Sequence, residues 1–501
     1  MPTCSCARWW ASRPRRPPPW PSKPGAPSER GWPPAWPSSP PSASPMQPLS
    51  WPSTDARRSP TCARCGGTHW ATLTALPARP RAMTESLHVL IAIDNFHPLI
   101  GGAEHAAFES GAALVRRGHR VDVLTMRKRP EWPPQEEIAG LRVFRFDERV
   151  PPRPFGRLLY ERANANAARR YLDDHLSHEP YDLLLLQPIV TAYGALRSRA
   201  RARAVAAYCF YAPLAEEHRN AVRGLLPPGV RGWRRQALLL SGAWTAHRRA
   251  LGQRAAIEAA DAVVCPSEYS RSLLADAFPG VATQHACIIP LGVDASRFRP
   301  ADDRQAVRAR LGWAPDEHVL LCVRRLVPRM GIGELIRGFG LAAARRPDLR
   351  LVIGGVGPLG PLLKDLAKTA GGHVDFVGLL PPDDLPRHLQ AADLFLLPSL
   401  TLEAFGLVTT EALACGTPVL ATPRCAAPEI LAPLDPRLLM SGTDPAAIAE
   451  ALLGPGLDVI HEPGFRDRCR AYAVEHFPWD RTAKGLEELV AHLHTKAGDA
   501  G

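Results

Sequence analysis

From Leu87 onward, short runs of apolar residues alternate with longer stretches in which apolar positions recur every three or four residues. The runs at 87–93, 120–125, 181–186, 204–209, 262–265 and 286–290 read as strands, and helical patterns fall near 103–117, 157–177 and 235–259. A second series begins at 318–323 and continues through 349–353, 374–377, 393–397 and 417–421, again with helical patterns between. Apolar strands separated by stretches long enough to cross over predict parallel sheets covered on both faces, an α/β fold. After Asp444 the pattern is helical almost to the end.

Residues 1–82 break this rhythm. They hold 19 of the 53 prolines and 7 of the 12 tryptophans without apolar periodicity, so the segment 1–84 reads as a disordered tail unable to bury a core. The tail also carries 11 Lys and Arg against 2 acidic residues, which accounts for most of the formal net charge of +12. The remainder is close to balance, and the sequence offers no basic face of the kind a nucleic-acid partner would need. Met83 stands just before the first strand pattern, which suggests a natural start there and a tail that is an over-extended reading of the gene. Cys62 and Cys65 have no second ligand pair to make a metal site, and prolines at this density exclude a secretory or transit signal. The other cysteines are scattered in apolar runs, as in a reduced cytoplasmic protein, and no stretch has the length of a membrane span.

Between the strand patterns at 393–397 and 417–421 lies Pro398-Ser-Leu-Thr-Leu-Glu403-Ala-Phe-Gly406-Leu-Val-Thr-Thr-Glu411-Ala-Leu-Ala-Cys-Gly416. Parallel strands need a crossover, so the stretch reads as a loop and then a helix over about 405–415 that Gly416 stops. Its first turn leaves the N–H groups of Gly406 and Leu407 without helical partners at the positive end of the dipole, where an anion is favoured. Glu403 precedes that end and Glu411 lies two turns further on. By spacing alone they are a capping carboxylate and an exposed helix residue.

The run from Leu402 to Val419 resembles the Glu-x7-Glu signature of the retaining group 1 glycosyltransferases, family 4, which have the GT-B fold. The resemblance implies two Rossmann-like domains facing a cleft. Residues 85–293 would form an N-terminal acceptor domain and 294–474 a nucleotide-sugar donor domain, with 475–501 a helix returning to the first. It also implies that Glu403 acts catalytically at the donor sugar, that Glu411 reaches the ribose, and that Phe405, Gly406 and Leu407 border the donor.

Three further motifs fit that frame. Gly101-Gly102-Ala-Glu104 follows the first strand; by its residues it is equally a tight turn requiring positive φ or a phosphate neighbour, and the resemblance favours the latter, with Gly102 the close contact. Arg324-Arg325-Leu-Val-Pro-Arg329-Met330-Gly331 resembles the family's Gly-Arg-x4-Lys-Gly diphosphate clamp. Arg325 matches its arginine, Met330 takes the place of its lysine and Arg324 that of its glycine, so Arg329 or Arg324 has to supply the missing charge or the donor binds differently. Gly355-Val-Gly357-Pro-Leu-Gly360 satisfies a dinucleotide fingerprint by letter, but Pro358 interrupts it and no acidic residue ends the next strand. A glycine turn near the nucleotide base of a sugar donor explains the run equally well, and the resemblance implies Gly357 as a donor contact. Tyr211 stands where related enzymes place a histidine; it can hydrogen-bond a sugar but is a poor proton carrier, its ordinary pKa being about 10.

The resulting expectation is a glycosyltransferase moving a sugar from a UDP- or GDP-linked donor to a glycan or lipid-linked acceptor with retention, without a metal or other cofactor. Its rivals are an NAD-dependent oxidoreductase, resting on the glycines at 355–360, and a weakened sugar-nucleotide binding protein, resting on Met330 and Tyr211. The segment 233–249 combines apolar residues at helical spacing with Arg234, Arg235, Arg248 and Arg249. It reads first as a helix packed on its own domain, with contact to the inner face of the plasma membrane as the alternative.

Overall fold

The computed structural model describes residues 86–99, 101–152, 156–225, 232–281 and 285–499. The expected disordered tail at 1–84, with Cys62, Cys65 and Met83, lies outside them.

Two sheets organise the described chain. The first contains eight strands: β1 (His88–Ala92), β2 (Arg120–Arg127), β3 (Gln135–Ile138), β4 (Leu141–Asp147), β5 (Leu183–Leu186), β6 (Val205–Cys209), β7 (Ala262–Cys265) and β8 (Ala286–Ile288), in the spatial order β3-β4-β2-β1-β5-β6-β7-β8. The second contains β9 (His318–Val323), β10 (Leu349–Gly354), β11 (His373–Gly378), β12 (Leu394–Leu397) and β13 (Val419–Ala421), in the order β11-β10-β9-β12-β13. All pairings are parallel except β3 with β4. Central strands such as Leu183–Leu186 and Leu394–Leu397 are buried along their whole length, because helices cover both faces.

The hairpin β3–β4 was not anticipated. Ala139 and Gly140 join its strands with φ of 52° and 80°, as the primed turns that match strand twist require. Gln135-Glu-Glu-Ile is too polar to announce a strand, and it lies on the sheet edge.

In each sheet the strand order reverses next to the first strand of the series. β1 lies between β2 and β5, and β9 between β10 and β12. Segments leaving the carboxyl ends of such neighbouring strands diverge and leave a crevice, the usual place for a ligand in an open α/β sheet.

The chain passes between the sheets at two adjacent points. The Val293 N–H donates to the Phe477 carbonyl at 2.8 Å, and Val293 bridges Pro478. The last helix, Trp479–Asp499, then lies against the helix Gly102–Arg116, and Glu487 receives hydrogen bonds from Arg117 at 2.5 Å and pairs with His119 at 2.7 Å. The seven described cysteines are free thiols, mostly buried. No helix among the described residues is long and apolar enough to cross a membrane.

The long helix Gly232–Ala259 covers the segment read as helical at 235–259 and packs on its own domain, the first of the two readings given for it. It packs through Ala246, Gln253, Ala256 and Ile257, while its opposite face leaves Leu240 69%, Trp244 50% and Leu251 54% exposed. The spacings of four and seven residues place those three side chains in one stripe.

Candidate active site

Because β9 and β12 are neighbours, the segments that leave them, Arg324–Met330 and Pro398–Gly406, meet at the crevice of the second sheet. The helix that follows runs over Leu407–Ala414, shorter by two residues at its start and one at its end than the sequence suggested. Gly406 caps it with φ 81°, a left-handed conformation that glycine adopts without strain. The N–H groups of Gly406 and Leu407 therefore open toward the crevice end of a dipole with no helical partner.

Phe405 is committed elsewhere. Its ring is buried and meets Phe477 edge-on at 5.8 Å, tying the start of this helix to the crossing between the sheets.

Glu403 sits on a loop fixed at almost every residue. The Leu402 carbonyl accepts from Arg329 Nη1 at 2.9 Å, the Leu402 N–H donates to Tyr269 Oη at 3.2 Å, and the Ala404 carbonyl accepts from Ser267 Oγ at 2.5 Å. The Ala426 N–H donates to the Glu403 carbonyl at 3.2 Å. Leu402 is held at φ 58°, a conformation that costs a non-glycine residue on the order of 1 kcal/mol and persists where surrounding contacts over-determine it. Ser267 and Tyr269 belong to the first sheet's side, so the loop is gripped from both halves. Glu429 adds to that grip by accepting from the N–H groups of Glu268 and Tyr269 at 2.8 and 2.6 Å.

The Glu403 carboxylate is ion-paired with Arg324, whose guanidinium also reaches Ser399 Oγ at 3.1 Å and Met330 Sδ at 2.9 Å. Burial pushes the Arg324 pKa down to about 10, which leaves it a cation at neutral pH. Arg325 differs from it in every respect: it is exposed, and its side chain makes no hydrogen bond or ion pair among the described residues. Arg329 is largely buried and pairs with Glu217 across the cleft at 3.5 Å in addition to its bond to Leu402. Of the three arginines, Arg325 alone has an uncommitted charge.

Glu411 also reaches across. Its carboxylate is largely buried and lies 3.5 Å from His105 Nε2 on the helix Gly102–Arg116. Burial by itself would lower the His105 pKa, but the hydrogen bond and charge of Glu411, with help from Glu109, outweigh it and the net shift is upward. The same helix begins at Gly102, and here the turn reading fails: neither Gly101 nor Gly102 has positive φ. A side chain at Gly102 would meet nothing within 4 Å, whereas one at Gly101 would collide with the Glu104 carboxylate.

Gly357 has a definite steric role. A Cβ there would lie 2.7 Å from the carbonyl carbon of Leu326 and 2.8 Å from its nitrogen, so this glycine lets the turn after β10 press against the Arg324–Leu326 backbone. Gly355, at φ 120°, does the same against the Arg324 carbonyl. The glycine run is thus spent on holding the arginine segment in place.

On the other side of the cleft, Tyr211 Oη accepts from Gln187 Nε2 at 3.2 Å, and burial raises its pKa well above the ordinary value. Gln187 and Tyr211 follow β5 and β6 and border a small cavity with Cys209 and Thr482. Gln187 Oε1 and Asn95 Oδ1, at the ends of β5 and β1, are buried without a partner among the described residues, acceptors left unused beside the crevice. A polar residue ending an apolar strand was the available signal for both. His105, Ser267 and Tyr269 gave none, since their partners lie more than 130 positions away in the chain.

Comparison with known proteins follows the same outline. The model of "Glycosyl transferases group 1" matches residues 303–476, and that of "Glycosyltransferase Family 4" matches 100–297. The GDP-mannose-dependent alpha-(1-6)-phosphatidylinositol monomannoside mannosyltransferase of Mycolicibacterium smegmatis is 31% identical over 413 residues, covering 80% of this chain and 98% of that protein. The D-inositol 3-phosphate glycosyltransferase of Actinosynnema mirum is 29% identical over 77% of this chain and 91% of its own. Among solved structures, the sucrose-phosphate synthase from Thermosynechococcus elongatus matches with TM-score 0.60 and 21% identity over 82% of this chain and 100% of that one. HepE from Anabaena, in complex with UDP and glucose, matches with TM-score 0.59 and 18% identity over 81% and 99%. These two establish the fold, GT-B.

Proposed function

Because the chain belongs to the group 1 glycosyltransferases of family 4, we propose that it transfers mannose from GDP-mannose to a lipid-linked, inositol-bearing acceptor, with retention of configuration. The observation that carries this reading is the full-length similarity to the mannosyltransferase, which spans 98% of that protein and so includes both sides of the cleft.

In this mechanism the donor diphosphate lies at the N-terminus of the helix Leu407–Ala414, where the Gly406 and Leu407 N–H groups and the uncommitted Arg325 stabilise the charge that develops as the sugar–phosphate bond breaks. Such donors are fixed before the reaction, so they need no reorganisation during it. Glu403 faces the donor sugar from its pinned loop. Glu411 exchanges His105 for a ribose hydroxyl. The departing phosphate takes the acceptor proton, a role for which Tyr211 is unsuited by its raised pKa; Tyr211 contributes a hydrogen bond to the acceptor side. Gly102 borders the phosphates and leaves room for them. Neutralisation by N–H groups and arginine assigns no role to a metal.

The oxidoreductase reading loses its basis, since Gly355 and Gly357 are used in packing against Arg324 and Leu326. Acceptors of this kind reside in membranes, and the exposed stripe Leu240, Trp244 and Leu251, on a helix that also carries the exposed Arg235, would suit peripheral contact with an anionic bilayer. The test is release of GDP from GDP-mannose by the purified protein with phosphatidylinositol monomannoside, run beside UDP-glucose and with EDTA. Acceptor-stimulated turnover of GDP-mannose that survives EDTA is expected. Preference for UDP-glucose would overturn the donor assignment, and absence of turnover with any nucleotide sugar would leave a binding protein.

A further inference from the structure

We propose that Arg324 is a positioning residue for Glu403, and that the cation it supplies from the end of β9 fills a location that the side chain at position 330 also reaches. The inference rests on the reading of Glu403 given above. Position 324 leaves β9 and position 330 ends the turn that follows, yet their side chains converge: Arg324 Nη2 lies 2.9 Å from Met330 Sδ. The same nitrogen contacts Ser399 Oγ and the Glu403 carboxylate. One buried location, lined by Ser399 and Glu403, is thus reached from two points of the chain, and one cation fills it.

The identities of the two residues suit each other. A thioether is neutral and polarizable and can lie against a guanidinium, whereas a lysine at 330 would set a second cation beside the first in a site that already lowers the Arg324 pKa by burial. Gly355 presses on the Arg324 carbonyl and Gly357 on Leu326, so the backbone from which the guanidinium departs is fixed. Arg324 Nε is buried with no hydrogen-bond partner among the described residues, so the group retains a donor.

The effect on the reaction follows from charge. Without Arg324, Glu403 would present an unpaired carboxylate to an incoming diphosphate, and its direction would be set by the backbone alone. With it, the carboxylate is paired and aimed, and the local charge is balanced before the donor arrives. Any cation reaching the same location should serve.

Interchange of the two residues tests this. R324G, M330K and R324G/M330K are compared with wild type for kcat and KM on GDP-mannose and for GDP affinity by calorimetry. R324G should lose about a hundredfold in kcat, within the range for a lost charge-assisted bond in a cleft, and M330K should lose about tenfold through the like charge it sets beside Arg324. The double variant should recover kcat to within about tenfold of wild type, a rescue that a structural role for Arg324 would not produce. A double variant that does not fold, or is no better than R324G, overturns the proposal, as does R324G with full activity. E403Q separates this from the underlying reading: wild type inert on every nucleotide sugar, or E403Q with full kcat, removes both, whereas an inactive E403Q beside an active R324G removes the role of Arg324 alone.

Discussion

Residues close together in sequence separate here by what they touch. Arg324, Arg325 and Arg329 look alike as letters, yet one is spent on Glu403, one on Glu217 and the Leu402 carbonyl, and one on nothing among the described residues. Arg325→Ala should therefore weaken GDP binding by roughly ten- to a hundredfold, the cost of about 1.5 to 3 kcal/mol for a charge-assisted bond, and Arg329→Ala should do less to affinity and more to thermal stability. Calorimetry and thermal melts on the two variants decide it; a larger loss of affinity in Arg329→Ala would mean that the clamp uses that residue instead. The two glutamates divide in the same way. Glu403→Gln is expected to lower kcat with GDP affinity nearly intact, and Glu411→Gln to weaken GDP itself, so equal losses of affinity would assign both carboxylates to one part of the donor. The partner of Glu411 adds a dependence on pH. A histidine whose pKa is raised on folding binds its proton more tightly in the folded state, so the stabilisation is fully present below the ordinary value of 6.5 and is lost as pH rises through the raised one. The melting temperature of wild type should exceed that of His105→Gln near pH 6 and converge with it at alkaline pH; a constant difference would show that the pair with Glu411 does not titrate.

At the scale of elements, the helix Gly232–Ala259 separates two uses of one amphipathic pattern. Its packed face is made of Ala246, Gln253, Ala256 and Ile257, and its exposed face carries Leu240, Trp244 and Leu251. Co-sedimentation with vesicles containing anionic phospholipid should capture the protein, and Leu240→Ser/Trp244→Ser should release it while leaving turnover of a water-soluble donor unchanged; capture that ignores the substitutions would place the contact elsewhere. Strands such as Leu183–Leu186 and Leu394–Leu397 were legible because burial on both faces demands an uninterrupted apolar run, and a parallel sheet supplies that burial. The edge hairpin Gln135–Ile138 with Leu141–Asp147 escaped because one of its strands is polar, and its Ala139-Gly140 turn is a weaker signal than Asn-Gly. Much of the candidate site was legible for a local reason: Glu403, Gly406 and Glu411 lie within a single loop and helix. The convergence of Arg324 and Met330 on Glu403, the pairing of His105 with Glu411 and the grip of Ser267 and Tyr269 were not, since each depends on segments that only the strand order brings together.

Across the whole molecule, the two crossings between the sheets lie side by side, with Val293 bonded to Phe477 and bridged to Pro478. The segment between them, which holds β9 to β13, therefore enters and leaves through one gate, while the helix Trp479–Asp499 lies against the helix Gly102–Arg116. In terms of chain path this is an insertion: a host formed by the first sheet and the last helix, and between them a guest whose two ends meet. A guest whose ends already meet can be exchanged for another without lengthening the host's chain path, because a short splice from Leu291 to Trp479 spans the same gap. On the proposed function, the host would present the acceptor and the guest the donor sugar. Recombination at this one gate would pair an old acceptor with a new donor.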